Sequence, residues 1–172
     1  MDKVTPAVRS RIMSRIRGKD TKPELALRRS LHSIGVRYRV HSRQVVGTPD
    51  IAHAGARVAV FVDGCFWHGC PHHYRVPSSR VEFWTGKLSR NKARRHAVLR
   101  KLKSQDWLVL QYWECEVRAK PAKLAKAISR SVKSRRQRRF LPGPSASSFS
   151  TRRGKGSGPR KMGSRASRPA ST

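Results

Sequence analysis

The sequence predicts an α/β domain built around one sheet. Two short apolar runs, Val58–Val62 and Trp107–Trp113, have the length and continuity of buried strands. Stretches with apolar residues at helical spacing lie around and between them, at 21–34, 82–104 and 120–135. Strands that alternate with helices of this length bury their apolar faces by packing helices against a sheet. At 172 residues the chain is long enough for one domain with its own core.

Residues 6–16 read as a short basic helix broken at Gly18-Lys19-Asp20. Thr21 opens a second helix: its hydroxyl caps backbone N–H groups, Pro23 is tolerated in the first turn, and Glu24 reaches back to complete a capping box. Leu25, Leu27, Leu31 and Ile34 give that helix an apolar face, and Gly35 ends it. Tyr38 and Val40 alternate with polar residues as a strand does. Gly47-Thr48-Pro49 is a turn, Asp50 starts a strand, and Ala54-Gly55-Ala56 is a hairpin connection into Val58–Val62. The polar, Gly-rich segment Asp63–His73 reads as loop. Glu82–Ser104 is a long, very basic helix marked by Phe83, Leu88, Ala93, Ala97, Val98 and Leu102. The strand Trp107–Trp113 and a last helix over Lys120–Arg135 complete the body.

The formal net charge is +31, which implies a polyanionic partner, with nucleic acid first in line. All nine acids lie at or before Glu116, so residues 1–116 carry +14 and residues 117–172 carry +17 with no acid. From residue 141 the chain is Ser-, Gly-, Pro- and Arg-rich, and it cannot bury enough apolar surface to offset chain entropy. The expected organisation is therefore a folded domain at 1–140 and a disordered basic tail at 141–172. No apolar run approaches the ~18 residues of a membrane span, and the N-terminus lacks the apolar core of a secretory signal. Three cysteines fit a disulfide scaffold poorly and suit a reducing compartment with thiols free for metal.

The sharpest chemical signal is Cys65-x4-Cys70-x-His72, with Cys115 following the last strand. Thiolates and imidazoles in fours are what a structural zinc takes, and such an ion would pin a loop too polar to hold itself. His73 can stand in for His72, a choice that spacing leaves open. A second signal is carboxylate. Asp50 opens one strand and Asp63 ends the next, so the two can share a Mg²⁺. This arrangement resembles the metal pair of restriction-type nucleases, although the Glu-x-Lys usual at the second position is absent. His68, which the zinc set does not need, is free to act as general base or acid. Phe66-Trp67 sits in that loop with no evident core to fill, and Phe83-Trp84 opens the basic helix. Flat side chains in a basic protein stack on bases or wedge between them.

Together the residues resemble the very short patch repair (Vsr) DNA mismatch endonucleases. The resemblance rests on Asp50 after Gly47-Thr48-Pro49, the run Val60–Pro71, Glu82-Phe83-Trp84 with Lys87 and Asn91, Trp113-Glu114-Cys115, and Met13–Glu24. It spans about residues 5–118. It implies a restriction-endonuclease-like fold, a central mixed sheet flanked by helices, with a structural zinc on Cys65, Cys70, His72 and Cys115. It further implies a Mg²⁺-dependent nick in one strand, 5′ to the mispaired T of a T:G mismatch left by 5-methylcytosine deamination. Asp50 is then the catalytic metal ligand, with position 63 contributing to magnesium binding. His68 is the general base and Glu24 a supporting catalytic residue. Phe66, Trp67 and Trp84 wedge at the mismatch from the major groove, and Met13 reaches in from the minor groove side. The expected setting is a monomer in the bacterial cytoplasm at the nucleoid, beside a cytosine-5 DNA methyltransferase and possible mismatch-repair proteins. Two departures stand out: other members have His before Cys in the metal loop, and some carry an acid near Arg95. The competing reading is a noncatalytic, zinc-stabilised DNA-binding module, which has no need of Asp50 with His68.

Overall fold

The computed structural model describes residues 5–15 and 18–140. The expected tail at 141–172 and the end of the first predicted helix, at 16, lie outside the described residues.

Three strands form one mixed sheet. β1 (Ile51–His53) pairs antiparallel with β2 (Val58–Asp63), and β2 pairs parallel with β3 (Leu108–Trp113). The order is β1-β2-β3, with Ile51 opposite Val60 and Asp63 opposite Trp113. A parallel pair needs a long crossover, and the 24-residue helix Val81–Ser104 lies within it.

Alternation along β2 sends its side chains to two cores. Val58 and Val60 pack with Leu27 and Leu31 from helix Lys22–Ser33, Val117 from helix Glu114–Ala119, and Ala125, Ile128 and Val132 from helix Pro121–Phe140. Ala59 and Phe61 pack the other way, with Val45, Ala52 and Leu102 of the crossover helix. β2 is thus covered on both faces, which is why it reads as an unbroken apolar run. Leu27 and Leu31 are fully buried, and truncating such a leucine to alanine costs about 2–5 kcal/mol.

In chain order the helices are α1 (Pro6–Ser14), α2 (Lys22–Ser33), α3 (Cys65–His68), α4 (Val81–Ser104), α5 (Glu114–Ala119) and α6 (Pro121–Phe140). Four local expectations change. Residues 38–40 make only a single bridge, Arg39 to Ala52, because His41 at φ +45° turns the chain away. Ala54–Ala56 is a one-turn 3-10 helix, with the His53 ring accepting the Ala56 N–H at 3.0 Å. The segment read as loop contains α3, and α5 follows β3 without a break. Thr21 does cap α2 by position, but its hydroxyl donates to Glu24, so no capping box forms. Among the described residues no helix is long and apolar enough to cross a membrane.

Candidate active site

A cleft of about 580 Å³ opens where β1, β2 and α3 meet. Asp50, Glu24, His68, Met13 and Trp67 all line it. Four elements far apart in sequence therefore converge on one space. The lead-in to Asp50 runs close against α4: a Cβ on Gly47, which sits at φ +78°, would lie 2.2 Å from Cγ1 of Val98. Only glycine fits there.

Asp50 Oδ2 accepts the Val62 N–H at 2.8 Å, leaving its second oxygen for a ligand. Burial pushes its pKa up to about 6; the Val62 N–H opposes that shift, and the charge of Glu24 adds to it. Mg²⁺ is commonly held by one or two carboxylates, with waters and substrate phosphate completing the shell, so this one carboxylate suits it. Glu24 is only 4% exposed. It accepts the Asp20 N–H at 3.0 Å, the Thr21 hydroxyl at 2.8 Å and Arg28 NH2 at 3.0 Å. Arg28 also binds Asp20 and approaches His41 Nε2 at 3.0 Å. Glu24 is therefore a fixed wall of the cleft whose charge is already matched.

Asp63 takes a different place from the one expected. Its buried carboxylate is salt-bridged to Arg95 of α4 and accepts Gln111 Nε2 of β3 at 2.9 Å. It lines a neighbouring cavity of about 500 Å³, not the Asp50 cleft. Asp50 lies on the β1 side of β2, and Asp63 is drawn to the β3 side by these two partners. The two carboxylates expected to share a metal thus line different cavities, and Asp63 has protein partners on both of its oxygens. His68, the last residue of α3, lines both cavities, with Nε2 3.8 Å from Asp63 Oδ1. Burial lowers its pKa; Asp63 pulls it back up, and Arg95 and Arg94 push it down. A neutral imidazole at pH 7 can accept a proton.

The other chemical cluster lies at the opposite end of α3. Cys65, Cys70, Cys115 and His73 place their donor atoms within 4.8 Å of one another. Zn–S bonds of about 2.3 Å in a tetrahedron set ligand separations of about 3.8 Å. Cys70 Sγ lies 3.9 Å from Cys115 Sγ and 3.8 Å from His73 Nδ1, so the set fits. His73, not His72, occupies the fourth place. The Tyr74 N–H bonds to the Cys70 carbonyl at 2.9 Å, closing a helix-like turn. In such a turn the third residue on comes back over the first, whereas the second points away. Burial pushes Cys65 up to about 12. Burial also opposes ionisation of Cys70, yet bonds from His73 and from the His72 and His73 backbone outweigh it and bring that thiol down to about 6.

The aromatic residues form one half-buried cluster between these sites. Phe66 contacts Trp67 and Trp84 edge-on, at 5.2 and 5.1 Å between centroids, and Trp67 lies 6.2 Å from Trp84. Asn91 Nδ2 donates to the Trp67 carbonyl at 3.0 Å, and Lys87 Nζ sits 5.7 Å over the Trp67 ring. Phe83 remains 43% exposed.

Several site residues were not legible as such. Arg28 holds Glu24 from one helical turn on, and His41 reaches Arg28 and Asp20 from a distant part of the chain. Arg95 and Gln111 hold Asp63. Arg95 did leave a trace: it shares the i, i+3, i+7 register of Val98 and Leu102, placing a cation on the buried face of α4.

The chain matches the family model described as DNA mismatch endonuclease Vsr over residues 1–75. It is 41% identical over 119 residues to the type II nicking enzyme V.XorIIP of Xanthomonas oryzae pv. oryzae, covering 67% of this chain and 86% of that one. It is 42% identical over 120 residues to V.NmeDIP of Neisseria meningitidis serogroup C, covering 68% and 80%. Against the DNA mismatch endonuclease Vsr of Escherichia coli K12 the identity is 36% over 117 residues, covering 66% and 74%. Identity at this level, sustained over most of each relative, makes the chain a member of the Vsr family of DNA mismatch endonucleases.

Proposed function

We propose that the protein nicks one strand of duplex DNA 5′ to the mispaired T of a T:G mismatch, beginning very short patch repair of deaminated 5-methylcytosine. The observation that carries this reading is the convergence of Asp50 and His68 on one cleft, with Met13 and Trp67 on its walls. A T:G wobble stacks less well than a Watson–Crick pair, so a wedge of Phe66, Trp67 and Trp84 enters there at lower cost. Met13 meets the DNA from the minor groove side. The scissile phosphate then lies in the cleft. Asp50 would hold Mg²⁺, and the chemistry the ion would supply there is Lewis-acid stabilisation of the phosphate oxygens. His68 takes a proton from the attacking water as its oxygen bonds to phosphorus and the P–O3′ bond breaks, the departing O3′ taking a proton from solvent water. The products are a 5′-phosphate and a 3′-hydroxyl. Glu24, pinned by Arg28 and Thr21, supports by fixing the floor on which Asp50 sits.

Zn²⁺ is the reading that best suits the Cys65, Cys70, His73, Cys115 set, as a brace for α3. We read the fold as restriction-endonuclease-like, the domain as ending near residue 140, and the basic tail at 141–172 as a tether to phosphates. The working unit is a monomer in the bacterial cytoplasm at the nucleoid, in a cell with a cytosine-5 DNA methyltransferase. Mismatch-repair proteins are candidate partners.

The test is a panel of end-labelled duplexes carrying T:G in varied flanks, beside matched T:A controls, with Mg²⁺ and then with EDTA. The expected result is a Mg²⁺-dependent nick confined to the T strand of the mismatch. Tight binding without a nick in any T:G context overturns the enzyme in favour of a DNA-binding module. Double-strand breaks in matched plasmid overturn it in favour of a restriction enzyme.

A further inference from the structure

A phosphodiester carries a negative charge into a cleft that already holds three carboxylates, Glu24, Asp50 and Glu114. Glu24 is matched by Arg28 and Glu114 by Arg118, but among the described residues Asp50 has no such ion pair, and its charge repels an incoming phosphodiester. Among the described residues Arg95 is the one Lys or Arg that lines it. Its guanidinium carbon lies over the Phe61 ring, 4.1 Å from the centroid, and its Nη2 donates to Asp63. Asp63 is in turn held by Gln111 and is 4% exposed, so the anchor does not move. Arg95 lines both cavities, whereas Asp63 lines only the far one. The ion pair therefore presents its positive end to the cleft and its negative end away from it. The Arg95 Nε is buried without a hydrogen-bond partner. A guanidinium carries five donors in a fixed fork suited to phosphate, and the Asp63 bond leaves donors over.

We propose that Arg95 is the phosphate-binding cation of this cleft, held in place by Asp63 and set to contact the scissile phosphate across from Asp50. This inference rests on the phosphodiester-cleaving reading above. It gives Asp63 a task other than metal binding, that of positioning residue for Arg95. It also gives the cleft the positive charge that no Glu-x-Lys supplies here.

The alternative is that Arg95 only neutralises a buried Asp63. Three variants separate the two: Arg95→Gln, Arg95→Lys and the neutral pair Asp63→Asn with Arg95→Gln. Single-turnover nicking of a T:G duplex is measured with thermal melting alongside. Arg95→Gln is expected to slow the single-turnover rate by about 10²–10³-fold, the usual effect of removing one preorganised donor, and Arg95→Lys by less. The neutral pair leaves no unmatched buried charge, so it melts as wild type yet stays as slow as Arg95→Gln. Recovery of wild-type nicking in the neutral pair overturns the proposal.

A binding arm reads the same contact without chemistry. Wild type and Arg95→Gln are compared in EDTA on a T:G duplex with the normal scissile phosphate and on one with a neutral methylphosphonate there. The affinity gap between the two proteins is expected to vanish on the neutral duplex, the signature of a direct pairwise interaction. A gap of equal size on both duplexes overturns the proposal. If wild type binds but never nicks, the functional reading fails, and the binding arm still decides whether Arg95 contacts that phosphate.

Discussion

The two ends of α3 differ in every chemical respect. At its start Cys65 joins a sulfur-rich cluster whose donor atoms already stand at metal-ligand spacing. At its end His68 enters a carboxylate cleft in which, among the described residues, Asp50 belongs to no such ready-made group. A soft, closed site needs all its ligands from the protein, whereas a hard catalytic site must leave room for water and phosphate. The difference teaches what α3 is for. Four residues with none buried cannot form a stable helix alone. The sulfur cluster, the Asn91 bond to Trp67 and the 3.4 Å contact of the Cys65 N–H with Glu114 hold it instead. One end of the turn is scaffold, and the other end and the aromatics between are what the scaffold presents.

If that division holds, damage at the two ends has different consequences. The largest effect is expected from Asp50→Ala: nicking falls by at least about 10³-fold, since the proposed metal ligand is lost, while melting temperature and mismatch binding stay near wild type. Retained nicking in a gel assay removes Asp50 from the mechanism. Next is Cys115→Ser, which breaks the scaffold end. It is expected to lower bound zinc by elemental analysis, to destabilise the fold by roughly 3 kcal/mol or more, and to carry nicking down with it. His73→Ala should do the same and His72→Ala should not; the reverse pattern reassigns the fourth ligand.

A smaller effect tests the electrostatics of the cleft. The Asp50 pKa is raised, so the native state holds this proton more tightly than the unfolded chain does. The stability it contributes is complete below the unfolded value near 3.8 and drains away as pH rises to about 6. Asp50→Asn, which carries no titrating proton, should therefore match wild type below pH 4 and exceed it above pH 6, by about 1–3 kcal/mol in metal-free buffer. Denaturant melts at both pH values check this, and added Mg²⁺ should narrow the gap by binding wild type. Equal stability at both pH values rules out a buried, costly Asp50. The smallest effect is expected from ending the chain after residue 141: mismatch preference is unchanged and the salt dependence of binding becomes shallower. Lost preference would make the tail part of recognition.

Much of the fold was legible because its signals are local. β2 and β3 are apolar runs, α4 and α6 show helical spacing, and Thr21 and Pro23 mark where α2 begins. The same holds for the thiols, since three cysteines and a short spacing leave few alternatives. α3 and α5 were missed because neither has a period long enough to register, and the alternation at Tyr38 and Val40 yields no more than the single bridge at Arg39. Each is held by contacts with distant residues and not by its own propensity.

The sequence by itself determined which residue types the chain has to work with: Asp50, His68, three thiols, a set of aromatics, and a charge that calls for nucleic acid. Tertiary structure alone decided what each one faces. It gave Asp63 the partners Arg95 and Gln111, brought His73 and not His72 to the sulfurs, and placed Arg95 on the wall of an acidic cleft. The physical reason is range. Helical period, turn chemistry and capping act over a few residues, whereas a carboxylate takes its partner from whatever the packed sheet and helices bring within about 3 Å, here from residues more than thirty positions away.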